Sequence, residues 1–475
     1  MGTLPDDVLL VVFKSCLDEY SYEDDEIGRE EAWRSLVQVC RQWRTIVFES
    51  PRQLNLQLVC VARTPARDTL DVWPVFPLAI RCQGLFPIRN MDDIIAVLER
   101  RDRVRRIDLV NNPTLNLEIL FAAMQQSFPE LVHLRLWPHI GTVMVPVVPD
   151  SFLGGIAPRL ESLQLDRISF PGLPKLLLSA THLVRLSLHH IPHFGYISPD
   201  AMATALSTLT SLETLRLEFE SDLSLPDPET RHLLPSTRTV LPVLTFFRFK
   251  GVSIYLDDFV VRIDTPRLTK LSMTFLDDVV FDTPQLIQFI GRTSFWGALE
   301  KAHIVFLDNA SYVKFLSQTS RLGSLKVDIL CSSGLEWQFS SMEQVCISCL
   351  PPLSMSEDLY IYRRQRWRLD GKEHIENELW LQLLHPFTAA KNLYLCQDFA
   401  RRIGPALLEL VEPVDGRTPE ALLALENVYL EGLESSGSVE KGIGRFVAAR
   451  EVAGHPITIS GWTNSEKEKF PPYYA

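Results

Sequence analysis

The feature that most constrains this chain is a leucine pattern that recurs at intervals of 23 to 32 residues. Four stretches carry it as L-x-x-L-x-L, namely "LVHLRL", "LESLQL", "LVRLSL" and "LETLRL". Looser copies extend the series, and the nine units begin at Val104, Leu131, Leu160, Leu183, Leu212, Leu244, Leu268, Leu299 and Leu322. Each interval has room for one strand and one returning helix or irregular segment. The pattern therefore predicts stacked units that bury their leucines between neighbours.

Such an α/β array is a leucine-rich-repeat solenoid, a horseshoe with parallel strands on its concave face. We predict that it spans residues 104–462. Late units occur at "NLYL" and "NVYL", and Met342, Val345 and Ile347 are interpreted as one more unit before them.

The remaining segments are assigned by composition. Residues 53–103 form a transition that contains a degenerate repeat beginning at Val75. Residues 221–240 are rich in Pro, Ser and Asp, which predicts an exposed loop between repeats. The polar residues 463–475 predict a disordered tail.

The outward positions of the predicted strands can be read from the alternation of side chains. Over the nine units these positions hold nine Lys or Arg and four Asp or Glu, a difference of +5 on a chain of net charge −12. This face is a candidate surface for an acidic or phosphorylated segment of a protein substrate, and a solvated polar sheet is the alternative. The candidate substrate-binding residues are Arg135, Trp137, Arg185, Arg216, Phe246, Arg248, Lys270, Lys301 and Lys326.

Charge and hydropathy disfavour several classes of partner. The net charge of −12 opposes general attraction to nucleic acid or anionic membrane. The basic run at 363–368 contains a single aromatic residue and offers no stacking platform for bases. The chain has no secretory signal and no window of 18 unbroken apolar residues. We therefore expect a cytoplasmic or nuclear protein that binds neither nucleic acid nor membrane.

The sequence carries none of the common catalytic signatures. The G-x-G at 442–444 is isolated, and the C-x-x-C at 346–349 lacks the second ligand pair that a structural zinc site needs. The histidines of "HHIPH" at 189–193 follow a strand on an irregular turn, which does not fix ligand geometry. We expect no enzyme activity, no metal site and no cofactor.

The first fifty residues have helical periodicity instead of the leucine pattern. Pro5 and Asp6 favour a helix start, and "VLLVVFKSCL" continues as an apolar stripe. After an acidic connector, apolar residues from Trp33 to Val47 recur at three- and four-residue spacings. A small helical hairpin is predicted.

These two stretches, "LPDDVLLVVFKSCL" and "AWRSLVQVCRQWRTIVFESP", resemble the F-box. The resemblance depends on Leu4-Pro5, the apolar stripe, the step at 39–41 and Trp43. Two later stretches, "ENELWLQLLHPFTAAKNLYL" and "VEKGIGRFVAARE", resemble the closing blocks of leucine-rich F-box proteins abundant in mushroom-forming fungi. The chain departs from the family's usual Pro-x-Leu-Trp ending, since residues 51–54 read "PRQL".

The resemblance implies that residues 1–52 dock onto the adaptor subunit of an SCF-type (cullin-RING) ubiquitin ligase, and through it onto cullin. The repeats would then bind the substrate protein, and partner subunits would supply catalysis. The implied adaptor-binding residues are Leu4, Pro5, Val8, Leu9, Val12, Phe13, Leu36, Val39, Cys40 and Trp43. The alternative is a stand-alone leucine-rich-repeat scaffold whose N-terminal hairpin is only a cap.

Overall fold

The computed structural model describes residues 4–18, 26–51, 53–54, 56–61, 70, 76–83, 91–112, 117–139, 146–221, 237–276, 283–293, 300–317, 323–330, 334–348, 356–364, 375–411, 421–433 and 441–462. The chain divides into two compact units. The first comprises residues 1–197 with 204–214, and the second comprises residues 198–203 with 215–475. The predicted tail and most of the predicted loop at 221–240 lie outside the described residues.

Three helices begin the first unit: α1 (Asp6–Asp18), α2 (Glu26–Val39) and α3 (Arg41–Glu49). The prediction of one continuous helix up to Val47 is wrong, because Cys40 divides it. The backbone of Cys40 is extended (φ −156°, ψ 172°), and its Sγ accepts a hydrogen bond from the backbone N–H of Trp43 at 3.5 Å. This side-chain contact to the third residue of α3 has the geometry of an N-cap, with sulfur in place of the usual oxygen.

The helices share a small core. Leu9, Phe13 and Leu17 recur every fourth residue of α1 and are buried. Trp33 and Val37, four residues apart on α2, are buried as well. Leu9, Phe13 and Leu17 of the apolar stripe therefore belong to the inner face of a helical bundle.

Within its described residues, the first unit has six strands that pair parallel in chain order. They are β1 (Leu58–Val61), β2 (Leu78–Gln83), β3 (Val104–Asn112), β4 (His133–Pro138), β5 (Ser162–Asp166) and β6 (Arg185–Ile191). Between them lie α4 (Met91–Leu98), α5 (Leu117–Ala123), α6 (Leu173–Leu177) and 3-10 turns at Phe152–Gly155 and His193–Gly195. Leucines of adjacent strands are in register: Leu134 is the partner of Leu163, and Leu163 is the partner of Leu186. This stacking explains why all three side chains are completely buried.

Helix α7 (Pro199–Leu206) contains residues of both units. The described strands of the second unit lie in the order β7 (Thr214–Phe219), β9 (Phe246–Gly251), β11 (Lys270–Leu276), β14 (Ser324–Leu330), β13 (Ala310–Leu316), β12 (Lys301–Phe306), β15 (Asp358–Arg363), β16 (Asn392–Leu395), β17 (Asn427–Glu431) and β18 (Thr458–Trp462). A separate parallel pair joins β8 (Thr239–Val240) to β10 (Ile263–Asp264). The helices are α8 (Ser253–Val260), α9 (Pro284–Arg292), α10 (Leu335–Ser348), α11 (Asn377–Leu384), α12 (Gln397–Ala400), α13 (Gly404–Glu409) and α14 (Lys441–Val452).

The strand order of the second unit differs from the prediction at one place. The units at Leu299 and Leu322 are predicted neighbours with parallel strands, but β13 lies between β12 and β14 and runs antiparallel to both. Strand β14 pairs parallel with β11, and β12 pairs parallel with β15. The cause is local, because Asp308-Asn309 supplies turn residues and the following "ASYVKFL" favours a strand. The sheet is therefore mostly, and not wholly, parallel.

A second correction concerns residues 342–347. Met342, Val345 and Ile347 belong to helix α10 and not to a strand. Met342 and Val345 are fully buried at helical spacing, whereas Ile347 is 56% exposed. The strand that enters the sheet is β15, whose sequence "DLYIYR" lies between the predicted unit at 342–347 and the one at "NLYL".

Aromatic side chains fill much of the core of the second unit. Phe339 of α10, Trp380 of α11 and Phe399 of α12 are buried, with ring centroids 4.6 to 5.9 Å apart. These rings hold the helices against one another behind the sheet. None of the helices in the described ranges has the length and apolar content needed to cross a membrane.

Candidate functional site

The outer face of the N-terminal helices carries exposed apolar side chains. Leu4, Val8, Val11 and Val12 lie on or just before α1 and are 40 to 66% exposed. Val39, the last residue of α2, is 59% exposed. These five residues are called the outer apolar face below.

The two parts of the outer apolar face are close together. The side chain of Gln42, in the first turn of α3, donates from Nε2 to Asp6 Oδ1 of α1 at 2.7 Å. This hydrogen bond holds the turn at Val39 and Cys40 beside the start of α1. Val39 precedes Gln42 by three residues, and Leu4 and Val8 are each two residues from Asp6, so exposed apolar residues of both helices occur next to this hydrogen bond in the chain.

The ten implied adaptor-binding residues occupy different environments. Leu4, Pro5, Val8, Val12, Val39 and Cys40 are exposed. Leu36 and Trp43 are half-buried, and Leu9 and Phe13 are buried. Phe13 packs against Trp43 with ring centroids 4.7 Å apart, so it supports the bundle from within. Val11 is exposed too, although the F-box resemblance did not single it out.

The opposite face of the bundle contacts the start of the repeats. The rings of Trp33 and Phe48 lie 5.0 and 5.7 Å from that of Phe76, just before β2. Leu54 and Leu56, which follow α3, are buried. The bundle therefore covers the beginning of the first unit's repeats with one face while the outer apolar face remains open.

In the first unit, the candidate substrate-binding residues lie on strands β4 and β6. The guanidinium of Arg135 is 5.1 Å from the ring centroid of Trp137, and Trp137 stacks on His189 at 5.6 Å. Arg185 is exposed. Burial and the nearby Arg106 lower the pKa of His133, in the same sheet, to about 4, so this histidine is neutral at physiological pH.

The neighbouring histidines have separate roles in packing. His190 Nδ1 lies 2.6 Å from Asp166 Oδ1, whereas His189 stacks on Trp137. His193 contacts Phe194 by its ring edge, at a centroid distance of 5.8 Å. Across the parts of the chain that the structure describes, no group of three or more His, Cys, Asp or Glu side chains is arranged to hold a metal ion.

In the second unit, several of the candidate basic residues already lie beside carboxylates. Arg248 Nε is 3.0 Å from Glu218 Oε1, and Lys326 Nζ is 2.8 Å from Asp328 Oδ1. Lys301 Nζ is 3.9 Å from an oxygen of Asp358. The positive charge that the sequence predicts for this face is thus partly neutralised within the sheet. Two of these ion pairs join adjacent strands, and the pair of Lys326 with Asp328 lies within β14.

Two further candidate substrate-binding residues, Arg216 and Phe246, contact each other. The guanidinium of Arg216 lies 5.2 Å from the ring centroid of Phe246. Burial and the neighbouring Arg248 lower the pKa of Arg216 from its usual value. Arg216 remains a cation at physiological pH, since an arginine side chain does not lose its proton under these conditions.

Aromatic residues continue the same face beyond the nine units. Tyr360, Tyr394 and Tyr429 are in register on β15, β16 and β17, and we call them the tyrosine row. Their ring centroids lie 4.0 and 4.4 Å apart with nearly parallel planes. His303 of β12 stacks on Tyr360 at 4.3 Å, and Trp462 of β18 meets the rings of Tyr360 and Tyr394 by its edge, at 6.0 and 5.7 Å.

Amides form a parallel ladder beside the tyrosine row. Asn392 Nδ2 donates to Asp358 Oδ1 at 2.7 Å, and Asn427 Nδ2 donates to Asn392 Oδ1 at 2.8 Å. Thr458 donates its hydroxyl to Asn427. These contacts fix side chains of four successive strands and make this part of the sheet surface rigid.

No protein-family model matches this chain, and no curated protein matches it. Among solved structures, the chain is similar to the crystal structure of a complex between TLR13 and the single-stranded RNA ssRNA13, with 15% sequence identity and a TM-score of 0.31. The match covers 78% of this chain and 42% of that chain, so our chain spans less than half the length of the protein it matches.

Proposed function

We propose that this protein is a non-catalytic substrate receptor of an SCF-type ubiquitin ligase. The N-terminal helices would bind the adaptor subunit, and through it cullin, while the repeats would hold the substrate protein. The observation that supports this proposal most directly is the outer apolar face. It lies on the part of the sequence that resembles an F-box.

Exposed apolar side chains on a helix are a common form of partner recognition. An amphipathic helix places such residues in an apolar groove of the partner, and burial of each residue stabilises the complex. The opposite face of the bundle already packs on the repeats through Trp33 and Phe48. Capping the repeats therefore gives no reason for Val8, Val11 and Val12 to be apolar.

The second candidate function is a protein-interaction scaffold whose N-terminal bundle only covers the first repeats. The contacts of Trp33 and Phe48 with Phe76 favour it, because they are those that a cap requires. Both functions use the sheet face of the repeats to bind a protein. Adaptor binding is the property that separates them.

The test is co-expression of the full chain with the SCF adaptor subunit of a mushroom-forming fungus, followed by size-exclusion chromatography. The informative variant is Val8→Asp with Val12→Asp, since both side chains are exposed and their replacement leaves the helical core intact. A matched control is Ile119→Asp with Leu178→Asp, which places the same charges on exposed apolar positions elsewhere in the first unit.

We expect the wild type and the control to co-elute with the adaptor at 1:1, and the Val8/Val12 variant to elute alone at the position of the folded chain. Circular dichroism of the isolated variants checks that each is folded. A folded wild type that does not bind the adaptor would leave the scaffold function in its place.

A further inference from the structure

One row of side chains crosses the second unit's sheet and changes its chemistry from basic to aromatic. The register places Ser272 beside Lys326, Lys326 opposite Lys314, and Lys314 opposite His303. From His303 the row continues through the tyrosine row to Ser460. It therefore belongs to a single continuous sheet face.

The basic end of the row concentrates positive charge. Lys314 and Lys326 are direct cross-strand partners, an arrangement that is unfavourable for two like charges. With Lys270 of β11 they form what we call the lysine cluster. Asp328 offsets one of these charges through its contact with Lys326. Together, the three lysines and Asp328 carry three positive charges and one negative charge.

The proximity of these charges affects Lys314 itself. Burial, together with the nearby Lys326 and Lys270, lowers the pKa of Lys314 to about 8. The next side chain along the row adds no charge, because burial and the neighbouring lysines lower the pKa of His303 to about 3. An anion placed at the lysine cluster would relieve the repulsion between its members.

The aromatic end of the row offers a different kind of contact. The rings of the tyrosine row cover one another's flat faces, so a ligand can reach mainly their edges and hydroxyls. Tyr394 and Tyr429 are only half-buried. Phenol hydroxyls donate to and accept from peptide groups. This geometry suits a polypeptide lying across the strands better than it suits nucleic-acid bases, which need open ring faces.

We propose that this row binds an extended acidic segment of a partner protein, with its carboxylates at the lysine cluster and its backbone over the tyrosine row. From Lys314 on β13 to Tyr429 on β17 there are four strand steps, which correspond to roughly 19 Å. An extended peptide of about six residues covers that distance. The proposal rests on the proposed substrate-binding role of the repeats and is independent of adaptor docking.

The test is fluorescence anisotropy with the full chain and labelled eight-residue peptides. One peptide carries three glutamates at one end, a second carries glutamines at the same positions, and both are made in the two possible orders. The Lys314→Met, Lys270→Met double variant removes two charges and keeps apolar stems. Lys326 is retained because its loss would leave the buried Asp328 without that contact. Lys250→Met, on the same face of β9, removes one positive charge outside the lysine cluster and serves as the control.

We expect the wild type and the Lys250 control to bind the glutamate peptide at least about tenfold more tightly than the glutamine peptide, since charge-assisted hydrogen bonds distinguish the two. The double lysine variant should lose this preference. Tyr394→Phe with Tyr429→Phe, which keeps the rings, should weaken both peptides about equally.

Equal binding of the two peptides by the wild type would overturn the proposal, and so would a double lysine variant that still prefers glutamate. If a phosphoserine peptide binds through the lysine cluster and the glutamate peptide does not, the occupant is a phosphorylated segment and the acidic-peptide proposal is wrong. Because no adaptor is present in this assay, its failure leaves the result of the co-elution test unaffected.

Discussion

Two glycines of the second unit approach each other closely. The geometry of this contact predicts the effect of a substitution on stability. A Cβ added to Gly404, at the start of α13, would lie 2.6 Å from the Cα of Gly442 and 2.8 Å from its carbonyl carbon. Carbon atoms in contact are normally about 3.5–4.0 Å apart, so the two backbones would have to separate by about 1 Å. Gly442 belongs to the G-x-G at 442–444. In this structure it is a position of helix packing.

The perturbation is Gly404→Ala. Overpacking of this kind costs about 1–3 kcal/mol, and the gain from replacing glycine by alanine in a helix is about 0.5–1 kcal/mol. We therefore expect a net local destabilisation of about 1–2 kcal/mol, which corresponds to roughly a tenfold faster hydrogen exchange of protected amides in α13 and α14.

Gly444 supplies the control, since a Cβ there would meet nothing within 4 Å. Gly444→Ala should slow exchange in α14 slightly, through the helix preference of alanine. Hydrogen exchange read by mass spectrometry is suitable because it reports these helices separately from the rest of a chain with two units. Wild-type exchange rates in Gly404→Ala would refute the packing argument, as would equal destabilisation by both variants.

Two further predictions concern the N-terminal bundle and the lysine cluster. Phe13→Ala should destabilise the bundle by about 3–5 kcal/mol, because the ring is fully buried against Trp43. Val12→Ala should change the stability of the bundle by less than about 0.5 kcal/mol, because Val12 is exposed. Limited proteolysis of the N-terminal segment distinguishes the two variants. Binding of the acidic peptide should weaken from pH 7 to pH 9, because Lys314 attracts a carboxylate only when protonated and its pKa is about 8. Anisotropy measured across this range should show a flatter profile for Lys314→Met. Among the described residues, the charged and titratable groups that act on Lys314 or lie opposite it include Lys270, Lys326, Asp328 and His303, and Lys326 in turn lies 4.4 Å from the ring centroid of Tyr312.

The repeat strands can be predicted from the sequence because each strand contains its own signal. Alternating leucines such as Leu134 and Leu136 mark a strand whatever its neighbours are. Strand β13 has no leucine pattern, and its insertion between β12 and β14 depends on a turn and on pairing with two strands at once. Pairing order is a property of the assembled sheet, so single-unit spacing does not determine it.

The candidate site shows the same division between local and assembled information. The alternation of side chains along each strand predicts which basic residues face outward. The pairing of Arg248 with Glu218 cannot be predicted in this way, because it depends on which strands are neighbours in the sheet. The tyrosine row had a visible signal, since "DLYIYR", "NLYL" and "NVYL" place Tyr360, Tyr394 and Tyr429 at equivalent positions. The nine-unit series ends at Leu322 and therefore leaves these tyrosines out.

Burial also separates residues that look equivalent in the F-box resemblance. Val8, Leu9, Val12 and Phe13 all belong to one apolar stripe, yet only the two valines are exposed. These four apolar residues cover a wide part of the helix surface. Some of them can therefore face the core of the bundle while others face outward. Which residues serve which contact depends on how α3 packs on α1, and Trp43 decides it by covering Phe13.

The rigidity of the second unit's sheet surface affects how tightly a peptide can bind there. A side chain that becomes ordered on binding costs about 0.5–1.5 kcal/mol of entropy. The tyrosine row is already stacked, and Asp358, Asn392 and Asn427 are already hydrogen-bonded to one another. Weak contacts of a peptide with this surface can therefore increase its affinity, because few side chains of the protein lose entropy on binding. The lysine cluster differs in carrying charge, because a lysine ammonium distinguishes a carboxylate from a neutral amide. This assigns selectivity to the basic end of the row and general affinity to the aromatic end.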